Sequence, residues 1–264
     1  MAKTVIITGT SSGIGLELAN YFQEKEYNVF GLSRSISKNA KFKTISTDIT
    51  NEKEVDKSIS TILAKTGKID LLINNAGKGM VGPVENANKD EIIDLFTLNL
   101  IAPIYLMNRV IPIMRKEKSG KIINISSIGS IMGLPFRGFY SASKSSLDMV
   151  TESLRYELNN TGIEVCTVNL GDIRTSIADH RIKSVISENY MKSFEKVYNH
   201  MNNDVNNGFP PSCVAPFIEK LFLQKSSLKP HYYFGTFVQK LSLIVKAMFP
   251  QKWFEKIIAK YSGI

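Results

Sequence analysis

Apolar residues along this chain follow two alternating rhythms. Short runs rich in β-branched and aromatic residues fall at 3–7, 28–32, 43–47, 69–73, 121–125, 164–168 and 231–234. Runs of that length suit strands of a buried parallel sheet. The segments between them carry apolar positions at three- and four-residue spacing. They include Ile14, Leu18, Tyr21 and Phe22, then Val55, Ile59, Ile62 and Leu63 within 52–65, and a long stretch over 89–116. Tyr140, Lys144, Leu147 and Val150 open a helix reaching about 160, and Val214, Phe217 and Leu221 follow Pro210-Pro211. Strands alternating with helices predict an α/β fold, a Rossmann-type doubly wound parallel sheet in a single domain over 1–235. Ligands of such folds bind at the carboxyl ends of the strands. Residues 176–207 are polar, show no sustained period, and are expected to form a mobile lid over a substrate.

Residues 236–264 read as a tail of two amphipathic helices. Phe237, Leu241, Ile244 and Met248 mark the first; Trp253, Phe254, Ile257, Ile258 and Tyr261, after Pro250, mark the second. Lysines stand opposite. The net charge is +9, yet from Lys225 onward seven Lys against one Glu account for +6, so the basic character belongs to this end. Two uses stay open: docking on the body or a partner subunit, or peripheral contact with a membrane surface. The body has no basic–aromatic pattern of the kind that binds nucleic acid.

An apolar content of 43% with a mean hydropathy of −0.06 is that of a soluble globular protein. No apolar run approaches the ~20 residues of a membrane span. A strand at the N-terminus leaves no room for a signal peptide. Cys166 and Cys213 are far apart, lack metal-ligand spacing, and are expected as core thiols in a reducing compartment. The histidines His180 and His200 likewise lack such spacing, so no metal site is expected. The expected location is the cytoplasm.

The strand at 3–7 runs into Thr8-Gly9-Thr10-Ser11-Ser12-Gly13-Ile14-Gly15 and then a helix. A glycine-rich turn there lets backbone amides approach a pyrophosphate beside a helix N-terminus. The second strand ends in Ser33-Arg34-Ser35, and no acid occurs from 27 through 42. NAD binders usually place an acid there for the ribose 2′-hydroxyl. An arginine grips a 2′-phosphate instead, so Arg34 points to NADP unless it is only a solvated surface residue. Asp48, with Ile49, ends the third strand, where its carboxylate suits an adenine amine or a helix cap. Asn74-Asn75-Ala76-Gly77 leaves the fourth strand as a wall of small and amide residues. Asn99, among apolar neighbours, either ties its helix to a neighbour or holds a proton-relaying water.

The chemistry concentrates in 121–144. A strand breaks at Ser126-Ser127 into a glycine-punctuated loop and closes on Tyr140-Ser-Ala-Ser-Lys144. Positions i and i+4 share a helix face, so phenol and ammonium point at one place. A phenol titrates near pH 10, and a nearby ammonium favours its ionised form. A serine hydroxyl steadies an oxygen on which charge develops. The set suits proton transfer at a carbonyl or alcohol oxygen.

With these residues in place, the chain resembles the short-chain dehydrogenase/reductase family, in its shorter, single-domain branch, over about 3–235. Thr8 to Gly15 resembles the family's T-G-x-x-x-G-I-G loop, and Asn74 to Gly77 its N-N-A-G segment. Asn99, Ser127, Tyr140 and Lys144 match its catalytic tetrad, Ser127 lying thirteen residues before Tyr140. The resemblance implies that Tyr140 is the acid–base residue and that Ser127 positions the substrate oxygen. Lys144 would lower the tyrosine pKa and hold the nicotinamide ribose, and Asn99 would support a proton relay. It implies cofactor contacts from Gly9, Ser11, Ser12, Gly13, Ile14, Gly15, Ser33, Arg34, Asp48, Ile49, Asn75, Ala76 and Gly77. Gly171, Ile173 and Thr175 would follow, in a segment resembling P-G-x-x-x-T where Leu170 replaces the usual proline. The tail is similar to that of hydroxysteroid and retinol dehydrogenases. With Met132, Leu134 and Phe136 it implies a hydrophobic carbonyl substrate, and the family implies a homodimer or homotetramer. The expected activity is NADPH-dependent carbonyl reduction. NAD-linked alcohol oxidation, or a non-catalytic nucleotide-sensing protein attached through its tail, is the alternative.

Overall fold

The computed structural model describes residues 2–175 and 181–264. The first apolar run becomes β1 (Thr4–Thr8), buried along its whole length. It feeds α1 (Gly13–Glu24), and the alternation continues through β2 (Asn28–Ser33), β3 (Lys43–Ser46), α2 (Glu52–Thr66) and β4 (Leu71–Asn74). Then come the short β5 (Met80–Val81), α3 (Lys89–Phe96), a π-helical turn (Thr97–Ile101) and α4 (Ala102–Glu117). β6 (Gly120–Ser127) leads to α5 (Gly138–Glu157), β7 (Ile163–Leu170), the short β8 (Ile182–Lys183), α6 (Glu188–Asn206) and α7 (Val214–Leu223). The chain ends with β9 (His231–Phe234), α8 (Phe237–Met248) and α9 (Gln251–Ser262).

Seven strands form one sheet in the order β3-β2-β1-β4-β6-β7-β9, every pairing parallel. The order reverses between β1 and β4, which opens a crevice at their carboxyl ends. Side chains alternate across the sheet. Val5 and Ile7 join Leu18 and Phe22 of α1 and Ile218 of α7 in one core. Ile6, between them, joins Ile59 of α2 and Leu106 and Val110 of α4 in the other. The sheet is therefore covered on both faces, as the continuous apolar runs require. Residues 89–117 are long and apolar enough by composition to cross a membrane. In the fold this run is broken by the π-turn, and α4 turns Leu106, Met107, Val110 and Met114 into the core.

Three expectations need correction. The stretch 176–207 is not aperiodic: α6 buries Phe194, Val197, Met201 and Val205, spaced by three or four residues. Its residues 176–180, including His180, lie outside the described residues. Cys166 is a core thiol, but Cys213 is exposed, because it ends a surface turn (Pro211–Cys213) ahead of α7. Finally, the helix through Asn99 changes hydrogen-bond register at Thr97–Ile101 rather than running regularly.

The tail docks, but only partly. Phe254 is 2% exposed, packed against Ile128 and Met132. The Tyr261 hydroxyl donates to Asp204 (2.8 Å), and the Lys196 ammonium donates to the Gly263 carbonyl (3.1 Å). α8 buries no residue fully and leaves Phe237, Ile244 and Met248 at 77%, 56% and 74% exposure.

Candidate active site

The crevice starts at the glycine loop. Gly9 has φ +72°, and a Cβ there would lie 2.8 Å from the Ala76 Cα. A Cβ on Gly15 would meet the Gly9 carbonyl oxygen at 2.2 Å and the Asn75 amide at 2.5 Å. Only glycine permits so close a crossing of β1's exit and β4's exit. The crossing is pinned by Thr8, whose hydroxyl accepts from the backbone N–H of Asn75 and of Ala76, both at 3.0 Å. Asn75 Nδ2 in turn donates to the Thr8 carbonyl (2.9 Å). At the start of α1 the N-cap Ser12 makes no side-chain cap, and the first turn has no acid. Its amides and positive dipole end are thus available to an anion. Thr175 reaches the same place, its Cγ2 3.4 Å from where a Gly13 Cβ would stand.

Beside it, β2 ends with Ser33 buried and Arg34 exposed. Ser33 donates to the Ser35 carbonyl (2.7 Å), shaping the turn that presents Arg34. Burial disfavours ionisation of Asp48. The hydroxyl and amide of Thr50, at 2.7 and 3.0 Å, and the nearby Arg34 outweigh it and hold the carboxyl below its usual range. Ile49 places its side chain in the core with Val55.

The predicted tetrad residues gather at the carboxyl ends of β4 and β6. Asn99 is wholly buried. Its carboxamide accepts from the Lys78 N–H (3.0 Å) and donates to the Lys78 carbonyl (2.9 Å) and the Ser143 hydroxyl (3.1 Å). Asn99 Oδ1 and Lys144 Nζ lie 3.1 and 3.3 Å from where a Gly77 Cβ would be, so any side chain at Gly77 would crowd both groups. The Lys144 ammonium donates to the Ile125 carbonyl at 2.9 Å. Burial lowers its pKa to about 8, against the pull of Asp148. The Tyr140 phenol lies beside the Ser127 hydroxyl, which itself accepts from the Gly129 N–H at 3.0 Å. Burial raises the phenol pKa, while Ser127, Arg137 and Arg181 act to lower it and Asp172 to raise it.

A polar network fixes the strand end below. Asn169 Nδ2 donates to Asp148 (2.7 Å), Ser130 (3.0 Å) and the Ser127 carbonyl (3.3 Å). Gly171 and Ile173 continue from β7: a Cβ on Gly171 would collide with Gln239 of α8 at 2.1 Å, and Ile173 is buried. Three charged residues that the sequence pattern did not single out stand near Tyr140: Arg137, Arg181 and Asp172. Arg137 lies one turn before Tyr140, a spacing that marks a shared helix face.

A sequence profile described as short chain dehydrogenase matches residues 3–185. The chain belongs to the short-chain dehydrogenase family. It is similar to the 3-ketodihydrosphingosine reductase of Bacteroides thetaiotaomicron, 36% identical over 85% of either chain. Among solved structures, a short-chain dehydrogenase from Streptomyces avermitilis superposes with a TM-score of 0.81 over 97% of both chains at 26% identity. ElxO with NADP bound (TM-score 0.72, 25% identity, 89% of this chain and 96% of that one) shares the fold. So does 4-hydroxyisoleucine dehydrogenase complexed with NADH (TM-score 0.71, 26% identity, 88% and 95%). The oxidoreductase family and the nucleotide-binding fold follow.

Proposed function

We propose that this oxidoreductase reduces a hydrophobic ketone or aldehyde with NADPH, Tyr140 delivering the proton. The observation that carries the reading is the Ser127–Tyr140 hydroxyl pair at the end of β6, beside the glycine cradle. The residues fit a dinucleotide: a cradle that any Cβ at Gly9 or Gly15 would fill, an uncapped helix N-terminus, and an exposed arginine at the end of β2. Reduced nicotinamide supplies a hydride to the carbonyl carbon when bound. Ser127 holds the carbonyl oxygen, and the Tyr140 hydroxyl donates its proton to that oxygen as negative charge develops. Burial keeps the phenol protonated at neutral pH, which is the form a reduction consumes. Lys144 and Asn99, together at Gly77, are assigned to the nicotinamide ribose and the proton supply. Arg34 selects the 2′-phosphate. The apolar preference rests on Met132 and Leu134, which pack with Phe254 and Ile258 of the tail, beside a cavity of about 290 Å³ whose apolar wall (Leu134, Pro135, Phe254, Ile258) faces the polar Lys246, Gln251 and Glu255. The name of the 3-ketodihydrosphingosine reductase points the same way.

The test is Tyr140→Phe: NADPH affinity stays within about twofold while carbonyl-dependent NADPH oxidation disappears, a loss of ~10²-fold or more. Unchanged turnover removes Tyr140 from its role. A cytoplasmic setting, with its reduced NADPH, fits this direction. Met149 and Tyr156, two turns apart on α5 and 63% and 82% exposed, offer an apolar face for a homodimer or homotetramer, measurable by light scattering.

The tail supports a peripheral membrane contact. Phe237, Ile244, Met248 and Trp253 (65% exposed) stay uncovered on α8 and α9, near Lys240, Lys246, Lys252 and Lys256. Apolar side chains amid lysines match an anionic bilayer surface. Sedimentation with phosphatidylglycerol vesicles tests it: Met248→Glu with Trp253→Glu abolishes pelleting, and a protein that never pellets contradicts it.

A further inference from the structure

Resting on the reductase reading, the charged residues around Tyr140 say what else the substrate carries. Arg137 is the N-cap residue of α5, three residues before Tyr140. Its Nε is shielded from solvent, and no hydrogen-bond partner for it is found among the described residues. Arg181 directly precedes β8, which pairs with β5. Its Cγ packs 2.9 Å from where a Gly79 Cβ would stand, next to the Asn99-bound loop, and its Nη1 donates to Asn202 of α6 (2.7 Å), a neutral acceptor. Both guanidinium groups act on the Tyr140 phenol.

Among the described residues, one carboxylate acts on the same phenol. Asp172 leaves β7 and is already engaged by Gln239 Nε2 of α8. Further out, Asp204 is taken by the Tyr261 hydroxyl (2.8 Å) and lies 3.5 Å from His200. Neither arginine forms a salt bridge among the described residues. Among the described residues, two guanidinium groups against Asp172 leave one positive charge acting on the Tyr140 phenol. A shielded guanidinium nitrogen without an acceptor is costly, and the cost is relieved by an anion with oxygens to accept from it.

We propose that Arg137 and Arg181 bind an anionic group that the substrate bears a few bonds from its carbonyl: a carboxylate, sulfonate or phosphate. The substrate is then an amphiphile, its head between the two arginines and its apolar part toward Leu134 and the tail. Neither arginine belongs to the glycine loop, and the role proposed for them is substrate specificity.

Matched probes test this. The NADPH-loaded protein is titrated by calorimetry with dodecanoate and with methyl dodecanoate. In parallel, kcat/KM is measured for 2-oxododecanoate and its methyl ester. The wild type is expected to prefer each acid at least tenfold over its ester, and Arg137→Gln and Arg181→Gln to bring that ratio close to one. NADPH affinity measured on the same samples reports that each variant is folded. Equal binding of acid and ester by the wild type, or an acid preference that survives in both variants, overturns the proposal. If both ketones are reduced through Tyr140 without acid preference, the reductase stands and the anion subsite falls. If the acid binds through the arginines but neither ketone is consumed, the subsite stands and the reductase reading falls.

Discussion

Lys144 is held in the fold at a cost, and removing its charge should make the protein more stable and inactive. The residue is 5% exposed, its ammonium has one acceptor among the described residues, the Ile125 carbonyl at 2.9 Å, and burial brings its pKa from 10.5 to about 8. At about 1.4 kcal/mol per pH unit, that lowering corresponds to about 3 kcal/mol against the charged form. A lysine whose folded pKa lies below its unfolded value destabilises the fold while charged. The penalty is fully present below pH 8 and is relieved as pH rises from 8 through 10.5. Lys144→Met removes the charge and keeps the chain length, but it strips the Ile125 carbonyl of its donor, worth about 1 kcal/mol. The net gain at pH 7 is about 2 kcal/mol, or a rise in Tm of roughly 4–8 °C for a chain of this size. Scanning calorimetry of both proteins without nucleotide, at pH 7 and pH 10, reads it directly. The gap should nearly close at pH 10, where the wild-type lysine has also become neutral. A variant less stable than the wild type at pH 7, or a gap independent of pH, would show that the buried charge is compensated and refute the reasoning.

Other changes follow the same contacts. Gly15→Ala drives a methyl group to 2.2 Å from the Gly9 carbonyl, so backbone must move; NADPH affinity falls beyond detection and stability drops by about 2 kcal/mol, read by titration and denaturant unfolding. Phe254→Ala opens a hole beneath the tail; it costs about 3 kcal/mol and speeds amide exchange in α9 ahead of the sheet. Asn99→Ala leaves both backbone groups of Lys78 without their partner; turnover falls and stability drops by about 2 kcal/mol, and Asn99→Asp recovers only part of this, since a carboxylate still accepts from the Lys78 N–H but cannot donate to its carbonyl.

What could be read from the chain was what local chemistry dictates. Ile6 and Leu72 are buried neighbours in the sheet because continuous apolar runs have no other home. Gly9, Gly15, Tyr140 and Lys144 were legible because a strand-to-helix turn and an i, i+4 pair are fixed by short-range geometry. α6 was missed because its four buried apolar side chains are outnumbered by the polar ones between them. The Phe194–Val197–Met201–Val205 spacing was the available signal. The start of α8 was also marked, by the Thr236-x-x-Gln239 capping box. Nothing local brings Arg181 and Asp172 to Tyr140. That meeting needs β8 to pair with β5, and α8 to place Gln239 against Asp172. The π-turn at Asn99 was equally hidden, since hydrogen-bond register leaves no mark in residue types.

The reading as a whole turns on the crevice accepting a 2′-phosphorylated dinucleotide next to the Ser127–Tyr140 pair. Titrating the purified protein with NADPH and with NADH, followed by nucleotide fluorescence, for the wild type and Arg34→Ala, tests this most directly. The wild type is expected to hold NADPH at least tenfold more tightly, and the variant to lose that preference while binding NADH as before. Equal affinities in the wild type, or NADH the tighter ligand, would contradict it.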